Sequence, residues 1–352
     1  MTAMRKDDAI IPMAPGMQAE LHEAPAAVAR QEQILAAPLA ELTARLKRRQ
    51  PDVVVTCARG SSAHAATFAK HLIERHLGIP VAAAAPNIAT VYRRPLTLRR
   101  QLFLIISQSG RSDDLIETTR MARAAGAVTA AIVNDAQSPL ADAAEIVLPL
   151  GAGPEFGVAA SKSFVASLAA LLRMTAVWAG DTAMALAAAR LPERLVAAAQ
   201  LDWSDAIAPL AQAASLIAIG RGPTLAIARE AALKLKETCA LHAESFSTAE
   251  FRHGPIALVS PAFPILAFTP GDESAAGFVD LLDDLRRKGA RVLLAEPGER
   301  RNGRLPALAP EHPDADAICL IQSFYAFLPR LAACRGTNID RPRHLQKVTR
   351  TR

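Results

Sequence analysis

Two turns in the first half of the chain carry short polar side chains where an apolar, strand-like run gives way to a helical pattern. Their polar residues are Ser61, Ser62, Ser107, Gln108, Ser109 and Ser112. Hydroxyl groups beside the free N–H groups of a helix start are donors that suit a phosphate. The alternative is that Ser112 is only a helix N-cap and Gly110 only a tight turn. Two such turns in neighbouring positions favour a phosphate site.

A second candidate site lies in the segment "REAALKLKE". Glu230, Lys234 and Glu237 are spaced i, i+4 and i+7, which places them on one face of a helix. A carboxylate there can act as a general base, with Lys234 keeping it ionised. The alternative is an exposed Glu–Lys pair that adds only about 0.2–0.5 kcal/mol to helix stability.

Three further segments carry weaker signals. His253 precedes Gly-Pro and can transfer protons near neutral pH, although loop histidines often only hydrogen-bond locally. The glycine-bearing loop "GPEFGVAASKSF" contains Glu155, Val158 and Ala159, and it either closes over a sugar or simply connects two elements. Lys347 lies in a basic C-terminal stretch that composition alone predicts to be a frayed tail.

The elements that position these residues come from an internal repeat. Aligning Arg59-Gly60 on Arg221-Gly222 gives an offset of 162, and aligning Gly110 on Gly271 gives 161. Two matches at nearly one offset indicate duplication of a whole domain. Each copy alternates strand and helix patterns, which predicts an α/β fold of two tandem, doubly wound parallel sheets.

The predicted strands lie near 53–57, 80–84, 102–106, 129–133 and 145–148 in the first copy, and near 215–220, 264–268, 291–295 and 317–321 in the second, with a less certain one at 242–246.

The predicted domains are a helical arm (1–45), a phosphate-binding domain (46–185), a helical linker broken near Pro192 (186–207), a domain with the acid–base residues (208–340) and a tail that closes the site (341–352). Ligands of such sheets bind beyond the carboxyl ends of the strands, where the serine-rich turns lie. The second copy has Phe268-Thr269-Pro270-Gly271 instead, so only the first offers a full hydroxyl cradle.

Composition narrows the class of protein. The chain has 352 residues, a net charge of +6 and 4% aromatic residues that are not interleaved with basic ones, which argues against nucleic-acid binding. The four cysteines form no Cys-x-x-Cys pair, so neither disulfides nor zinc are expected. The N-terminus lacks a signal-peptide core, and residues 157–180 are interrupted by Lys162 and Arg173, so we expect a cytoplasmic protein without membrane contact. No metal or nucleotide motif is present, and we expect no cofactor.

Taken together, the motifs resemble a known family. In this order, "RGSSAHA", "SQSGRSDD", "GPEFGVAASKSF", "IGRGPTLAIAREAALKLKE", "HAESFSTAEFRHGPIAL" and "DRPRHLQK" resemble the double sugar isomerase (SIS) domain of glucosamine-6-phosphate synthase. The resemblance extends from about residue 53 to the end of the chain and includes the SIS-type glucosamine-6-phosphate deaminases. It implies a flavodoxin-like fold for each domain.

The resemblance also implies roles for individual residues. The implied phosphate ligands are Ser62, Ser107, Gln108, Ser109 and Ser112, with Ser61 adjacent. Glu237 is implied as the base that moves a proton between C1 and C2, with Glu230 and Lys234 in support. His253 is implied to assist ring opening from the partner subunit, which predicts a homodimer. Lys347 would lie near the reacting end of the sugar.

Three departures from the family affect the expected substrate. The first cysteine is Cys57, so we expect no glutaminase domain and no use of glutamine. Arg111 and Ser112 replace the Glu-Thr of the family, which adds a positive charge near the anion. Ala160 stands where the family has a site serine, so one sugar contact is missing.

From these residues we expect an enzyme that converts glucosamine 6-phosphate to fructose 6-phosphate and ammonia. The alternatives are a ketose–aldose phosphate isomerase, a deglycase for a phosphorylated amine adduct, and a sugar-phosphate sensor without turnover. No convincing DNA-recognition helix precedes Val53, and retention of Glu237 and His253 favours catalysis over sensing. A protein that only assembles with partners would bind no phosphosugar.

Overall fold

The computed structural model describes residues 16–298 and 302–347, within which the chain forms two five-stranded parallel sheets. The first sheet contains β1 (Val54–Ala58), β2 (Val81–Ala83), β3 (Leu102–Ser107), β4 (Val128–Val133) and β5 (Ile146–Pro149). The second contains β6 (Ser215–Gly220), β7 (His242–Ser247), β8 (Pro264–Phe268), β9 (Arg291–Pro297) and β10 (Arg304–Ala307).

Helices surround and connect the sheets. In the first half they are α1 (Met17–Ile34), α2 (Ala36–Arg48), α3 (Gly60–Leu77), α4 (Asn87–Thr90), α5 (Asp113–Ala124), α6 (Pro139–Ala143), α7 (Lys162–Ala179) and α8 (Thr182–Ala198). In the second half they are α9 (Ile207–Ala211), α10 (Thr224–Cys239), α11 (Thr248–Arg252), α12 (Phe278–Arg287) and α13 (Pro313–Cys334). Short 3₁₀ helices cover Ser204–Ala206, Pro255–Leu258 and Glu273–Ala275.

Both sheets have the same topology. The first runs in the order β2-β1-β3-β4-β5 and the second in the order β7-β6-β8-β9-β10. The central strand β3 is buried along its whole length, because helices cover both faces of a parallel sheet. The predicted α/β class with two tandem flavodoxin-like domains is confirmed.

Two expectations about individual elements are wrong. The apolar run 317–321 is not a strand but part of α13, and the fifth strand of the second sheet is the short β10. A short apolar run has no periodicity that separates a buried strand from a buried helix. The predicted break near Pro192 is also absent, because α8 continues through that residue. The uncertain strand at 242–246 is present as β7.

The predicted N-terminal arm contributes α1 and α2, which pack onto the first sheet and onto α7, α8 and α13; its residues 1–15 lie outside the described range. Gln31 of the arm is buried and donates to the carbonyls of Leu150 (2.9 Å) and Ala166 (2.8 Å). The arm therefore fixes the segment between β5 and α7, which carries the glycine-bearing loop.

Two helices, α7 and α13, are long and apolar enough to cross a membrane by length and composition alone. Their apolar windows are 83% and 72% buried inside the protein. Such burial is typical of core helices, which are apolar on all sides because both faces contact other elements.

Candidate functional site

One cavity of about 350 Å³ lies at the carboxyl ends of β1 and β3 and extends to α10 and the C-terminal segment. Its lining residues are Arg59, Gly60, Ser61, Ser62, Ile106, Ser107, Gln108, Ser109, Ser112, Leu115, Val158, Ala160, Lys234, Glu237, Leu345, Gln346 and Lys347. All six residues of the predicted phosphate cradle are among them, together with three of the five predicted acid–base residues. The carboxyl edge of a parallel sheet is where such folds bind ligands.

A glycine turn after β3 determines the shape of the predicted phosphate cradle. Gly110 has a φ of +64°, and a Cβ there would lie 2.1 Å from Ser138 Oγ, so only glycine fits. The Ser107 hydroxyl accepts a hydrogen bond from the Gly110 amide at 3.1 Å, which orders the turn. Ser112 occupies the N-cap position of α5, but its side chain caps no amide. Its hydroxyl is therefore not committed to the helix, unlike in the N-cap alternative.

The second turn is the start of α3. Ser61 and Ser62 lie in the first turn of this helix, next to Gly60 with a φ of +53°. Helix N-termini favour anions, because their amides are unpaired and the helix dipole is positive there. Arg59 also lines the cavity, and its guanidinium contacts the buried Asp114 at 2.7 Å. Sequence reasoning missed Arg59, although it directly precedes the turn.

The three residues of α10 predicted to take part in acid–base chemistry form a linked group. Lys234 is fully buried and donates to Glu237 Oε2 at 2.6 Å, while its Nζ lies 3.4 Å from Glu230 Oε1. Glu237 keeps 21% of its side chain exposed, towards the cavity that it lines. The alternative of an exposed Glu–Lys pair is thus wrong, since Glu230 and Lys234 have no exposed surface. The arrangement presents one partly exposed carboxylate to the cavity, held by a buried ammonium.

Glu230 connects this group of residues to helices α3 and α13. Its carboxylate accepts from Ser61 Oγ (2.9 Å) and Tyr325 Oη (2.9 Å), and it contacts His64 Nδ1 at 2.8 Å. Burial alone would raise the pKa of Glu230, but Lys234 and His64 together with Ser61 lower it to about 2. Glu230 does not line the cavity itself. Its bond to Ser61 joins α3 to α10, the helix that carries Glu237.

The Glu230 carboxylate raises the pKa of both Lys234 and Tyr325. Burial lowers the pKa of Lys234, but the two neighbouring carboxylates more than compensate and raise it. Burial and the Glu230 carboxylate both raise the pKa of Tyr325 well above its usual value. Lys234 therefore remains charged and Tyr325 remains a hydrogen-bond donor at neutral pH.

Two buried carboxylates hold the glycine-bearing loop by accepting hydrogen bonds from backbone amides. Glu155 accepts from the amides of Ser161 (3.0 Å) and Ser163 (3.1 Å) and does not line the cavity. Glu20 of α1 accepts from the amides of Phe156 and Gly157, a role that sequence reasoning missed. Burial raises the pKa of Glu20, although these amides oppose the shift. No local pattern reveals a contact between residues 136 positions apart.

The loop and the C-terminal segment meet at the cavity. Lys347 Nζ donates to the carbonyl of Gly157 at 2.5 Å and lies 3.5 Å from Glu155 Oε2. Composition alone predicted a frayed tail at Lys347, which is wrong for this residue; residues 348–352 lie outside the described range. Val158 and Ala160 line the cavity, whereas Ala159 is buried in the core.

Two further predicted features, His253 and Arg111, do not line this cavity within one chain. His253 is exposed at the end of α11 and is not among the lining residues. Arg111 donates to Asp135 at 2.8 Å and does not line the cavity either, so its charge is paired rather than directed at the cradle. In the described part of the chain, no group of three His, Cys, Asp or Glu side chains could hold a metal ion.

Comparison with known proteins agrees with this architecture. The family model of the SIS domain matches residues 49–176 and 209–295 of this chain. Glutamine–fructose-6-phosphate aminotransferase (isomerizing) of Zymomonas mobilis subsp. mobilis is 33% identical over 360 residues, which cover 94% of this chain and 58% of that enzyme. The chain thus spans little more than half the length of this curated relative.

Solved structures show the same fold. A proposed phosphosugar isomerase from Silicibacter pomeroyi DSS-3 superposes with a TM-score of 0.87 at 42% identity, covering 92% of this chain and 99% of that one. The C-terminal domain of glucosamine-fructose-6-phosphate aminotransferase from Francisella tularensis superposes with a TM-score of 0.82 at 27% identity, covering 95% and 100%. The resemblance drawn from the motifs is confirmed, and the chain belongs to the SIS domain family, with two copies of the domain in tandem.

Proposed function

We propose that the protein is a phosphosugar-isomerising enzyme whose preferred reaction is the deamination of glucosamine 6-phosphate to fructose 6-phosphate and ammonia. The observation that carries the proposal is the shared cavity, in which a hydroxyl cradle and the Glu237 carboxylate face the same space. In this proposal the cradle binds the phosphate, and this remote binding orients the reacting carbons at α10.

The proposed chemistry needs only proton transfers and water. After ring opening frees the C1 aldehyde, Glu237 takes the C2 proton and returns it to C1, which moves the carbonyl character to C2 as an imine. Water then adds to C2 and ammonia leaves, so that one water is consumed and one ammonia released. A positioned carboxylate base typically accelerates such a step about 10²–10⁴-fold. Lys234 donates a 2.6 Å hydrogen bond to this carboxylate and so holds it in place at the cavity.

Lys347 and the glycine-bearing loop are proposed to close the reacting end of the cavity. The contact of Lys347 with Gly157 joins the C-terminal segment to the loop over the cavity. Glu155 is proposed to position the loop rather than to touch the sugar, since it is buried beneath it.

An assay with purified protein tests the reaction. The protein is incubated with glucosamine 6-phosphate, and ammonia and fructose 6-phosphate are measured together. Equal amounts of both products are expected. Formation of a ketose phosphate from an aldose phosphate without ammonia would instead favour the plain isomerase. Release of a larger amine from a phosphorylated amine adduct would favour the deglycase, and saturable binding without any product would favour the sensor.

We further propose that the active enzyme is a homodimer in which His253 reaches the partner's cavity. Its exposed position outside the cavity of its own chain supports this arrangement. Co-expression of Glu237→Gln and His253→Asn chains tests it, because a mixed dimer would contain one site with both groups intact. Activity recovered only in the mixture is expected. No recovery, with both chains shown to associate, would mean that His253 does not act across the interface.

We also propose that the reaction needs no cofactor, that the protein binds neither nucleic acid nor a membrane, and that it is located in the cytoplasm.

A further inference from the structure

The two domains are related residue by residue across the contact between α3 and α10. Gly60 (φ +53°) and Gly222 (φ +56°) are both left-handed and lie 162 positions apart. The helices that follow end at Gly78 (φ +66°) and Ala240 (φ +47°), again left-handed and again 162 apart. Each position on α3 therefore has a structural counterpart on α10.

Helices α3 and α10 contact each other at one pair of counterpart residues. Arg229 donates to Thr67 Oγ1 at 2.9 Å, and these two residues are counterparts of each other, so the axis relating the domains passes between them. A second copy of the sugar cavity should consequently lie between the turns of the second domain and α3.

The space at this second position is filled by the chain itself. A Cβ added to Gly60 would meet no atom within 4 Å, because this glycine faces the open cavity. A Cβ added to its counterpart Gly222 would lie 2.7 Å from Ser274 Oγ and 3.3 Å from His71 Cε1. The same backbone turn thus borders a cavity in one domain and packed side chains in the other.

The charges at the second position are reversed. The counterpart of Glu237 is Arg75, whose guanidinium lies 3.3 Å from Asp272 and 3.5 Å from Asp314. Asp272 is the counterpart of Arg111 in the turn after the third strand of each sheet. Where the open cavity has a carboxylate facing hydroxyl groups, the second position has a guanidinium facing carboxylates.

Two histidines complete this group. His76 Nε2 contacts Asp314 at 2.8 Å, and His71 Nε2 lies 3.7 Å from Asp272. The side chains of Asp272 and Asp314 are 2% and 0% exposed. We call the group of His71, Arg75, His76, Asp272 and Asp314 the ionic cluster. Its buried carboxylates would repel a phosphate, so the second position is closed to the ligand of the first.

Helix α3 connects the ionic cluster to the open cavity. Its first turn carries Ser61 and Ser62, and its later turns carry His71, Arg75 and His76. A helix transmits displacement along its axis because its backbone is rigid. We infer that the ionic cluster is a self-occupied second copy of the sugar-phosphate site, and that Arg75 is a positioning residue that holds α3 and its serines in register with the open cavity. The identity of the ligand rests on the proposed function. The closure of the second position rests only on the contacts of the ionic cluster.

Loss of the guanidinium gives a measurable consequence at the distant cavity. Without Arg75, the buried carboxylates of Asp272 and Asp314 lose a guanidinium that lies 3.3 and 3.5 Å away, and we expect the turn at 272–274 to move away from α3. Ser61 and Ser62 then lose part of their alignment with the cradle. We expect the dissociation constant of the phosphate ligand to rise about fivefold, within the range of couplings carried through packed helices.

Calorimetry of the full chain with glucosamine 6-phosphate, and separately with inorganic phosphate, tests the inference. The wild type should bind one ligand per chain, and Arg75→Met should bind it about fivefold more weakly, with Arg75→Lys in between. Arg286→Met, which removes an exposed arginine paired with Asp283, is the control and should bind like the wild type. Two ligands per chain would overturn the closed second position, and an unchanged dissociation constant in folded Arg75→Met would overturn the positioning role.

Hydrogen exchange separates this inference from the proposed function. If the wild type binds neither ligand, the proposed function fails, and amide exchange of residues 60–64 is then compared between the wild type and His76→Ala. If Arg75→Met does not fold, His76→Ala also takes its place in the calorimetry, because it removes a different residue of the ionic cluster. Faster exchange at 60–64 in His76→Ala is expected, and exchange that changes only near residue 76 would contradict the coupling along α3.

Discussion

We expect Glu230→Gln to lower the free energy of unfolding by about 3 kcal/mol at neutral pH, since each pKa unit corresponds to about 1.4 kcal/mol. The Glu230 carboxylate is fully buried, and its partners lower its pKa from 4.5 to about 2. Removal of one member of a buried ion pair typically costs about 3–5 kcal/mol, which agrees with this magnitude. The glutamine preserves the shape of the side chain but leaves Lys234 without one of its two carboxylates.

The pH dependence of the effect follows from the direction of the shift. Because the pKa of Glu230 is lower in the folded state, its stabilising contribution is complete above about pH 4.5 and is lost as the pH falls towards 2. The difference in stability between the wild type and Glu230→Gln should therefore be full at pH 7 and clearly smaller at pH 3.

Urea unfolding followed by the fluorescence of the buried Trp203 measures this difference. Tyr325→Phe is the matched control: it removes one donor to Glu230 but keeps the carboxylate, so its loss of about 1.5–3 kcal/mol should accompany a retained acid sensitivity. Equal stability of Glu230→Gln and the wild type at pH 7, or a difference that is the same at pH 7 and pH 3, would show that the buried Glu230 carboxylate does not stabilise the fold.

Three further predictions concern the cavity. Glu237→Gln should reduce turnover of glucosamine 6-phosphate about 10²–10⁴-fold while calorimetry shows unchanged binding; wild-type turnover would exclude Glu237 as the base. Ser112→Ala should weaken binding of inorganic phosphate about 5–30-fold but change the unfolding free energy by less than about 0.5 kcal/mol, because its hydroxyl caps no amide; a large stability loss would favour the capping alternative. Gly110→Ala should destabilise the fold by more than about 2 kcal/mol because its Cβ would overlap Ser138, whereas Gly126→Ala, left-handed but unobstructed, should cost about 1 kcal/mol; equal losses in urea unfolding would contradict this.

The sequence predicted the features that local spacing or the repeat encodes. The offset of 162 predicted two copies of one fold, and the spacing of Glu230, Lys234 and Glu237 predicted one shared helix face. The hydroxyl-rich turn at 107–110 was predicted to lie at a sheet edge because apolar residues precede it directly.

What the sequence did not predict depends on contacts between distant segments. The apolar residues 317–321 fit a strand and a helix equally, and only the packing of α13 against both domains decides between them. Glu20 supports a loop 136 residues away, and Arg111 is paired with Asp135 across a turn. No local period carries this information, because each contact arises only when the sheets have formed.

A crystal structure of the protein with bound glucosamine 6-phosphate shows directly whether the two halves of the cavity bind one molecule. We predict phosphate oxygens within hydrogen-bonding distance of Ser107, Ser109 and Ser112, with C1 and C2 of the sugar beside Glu237. A phosphate bound at the turn of the second domain, residues 269–274, or a sugar whose C2 is remote from Glu237, would contradict it.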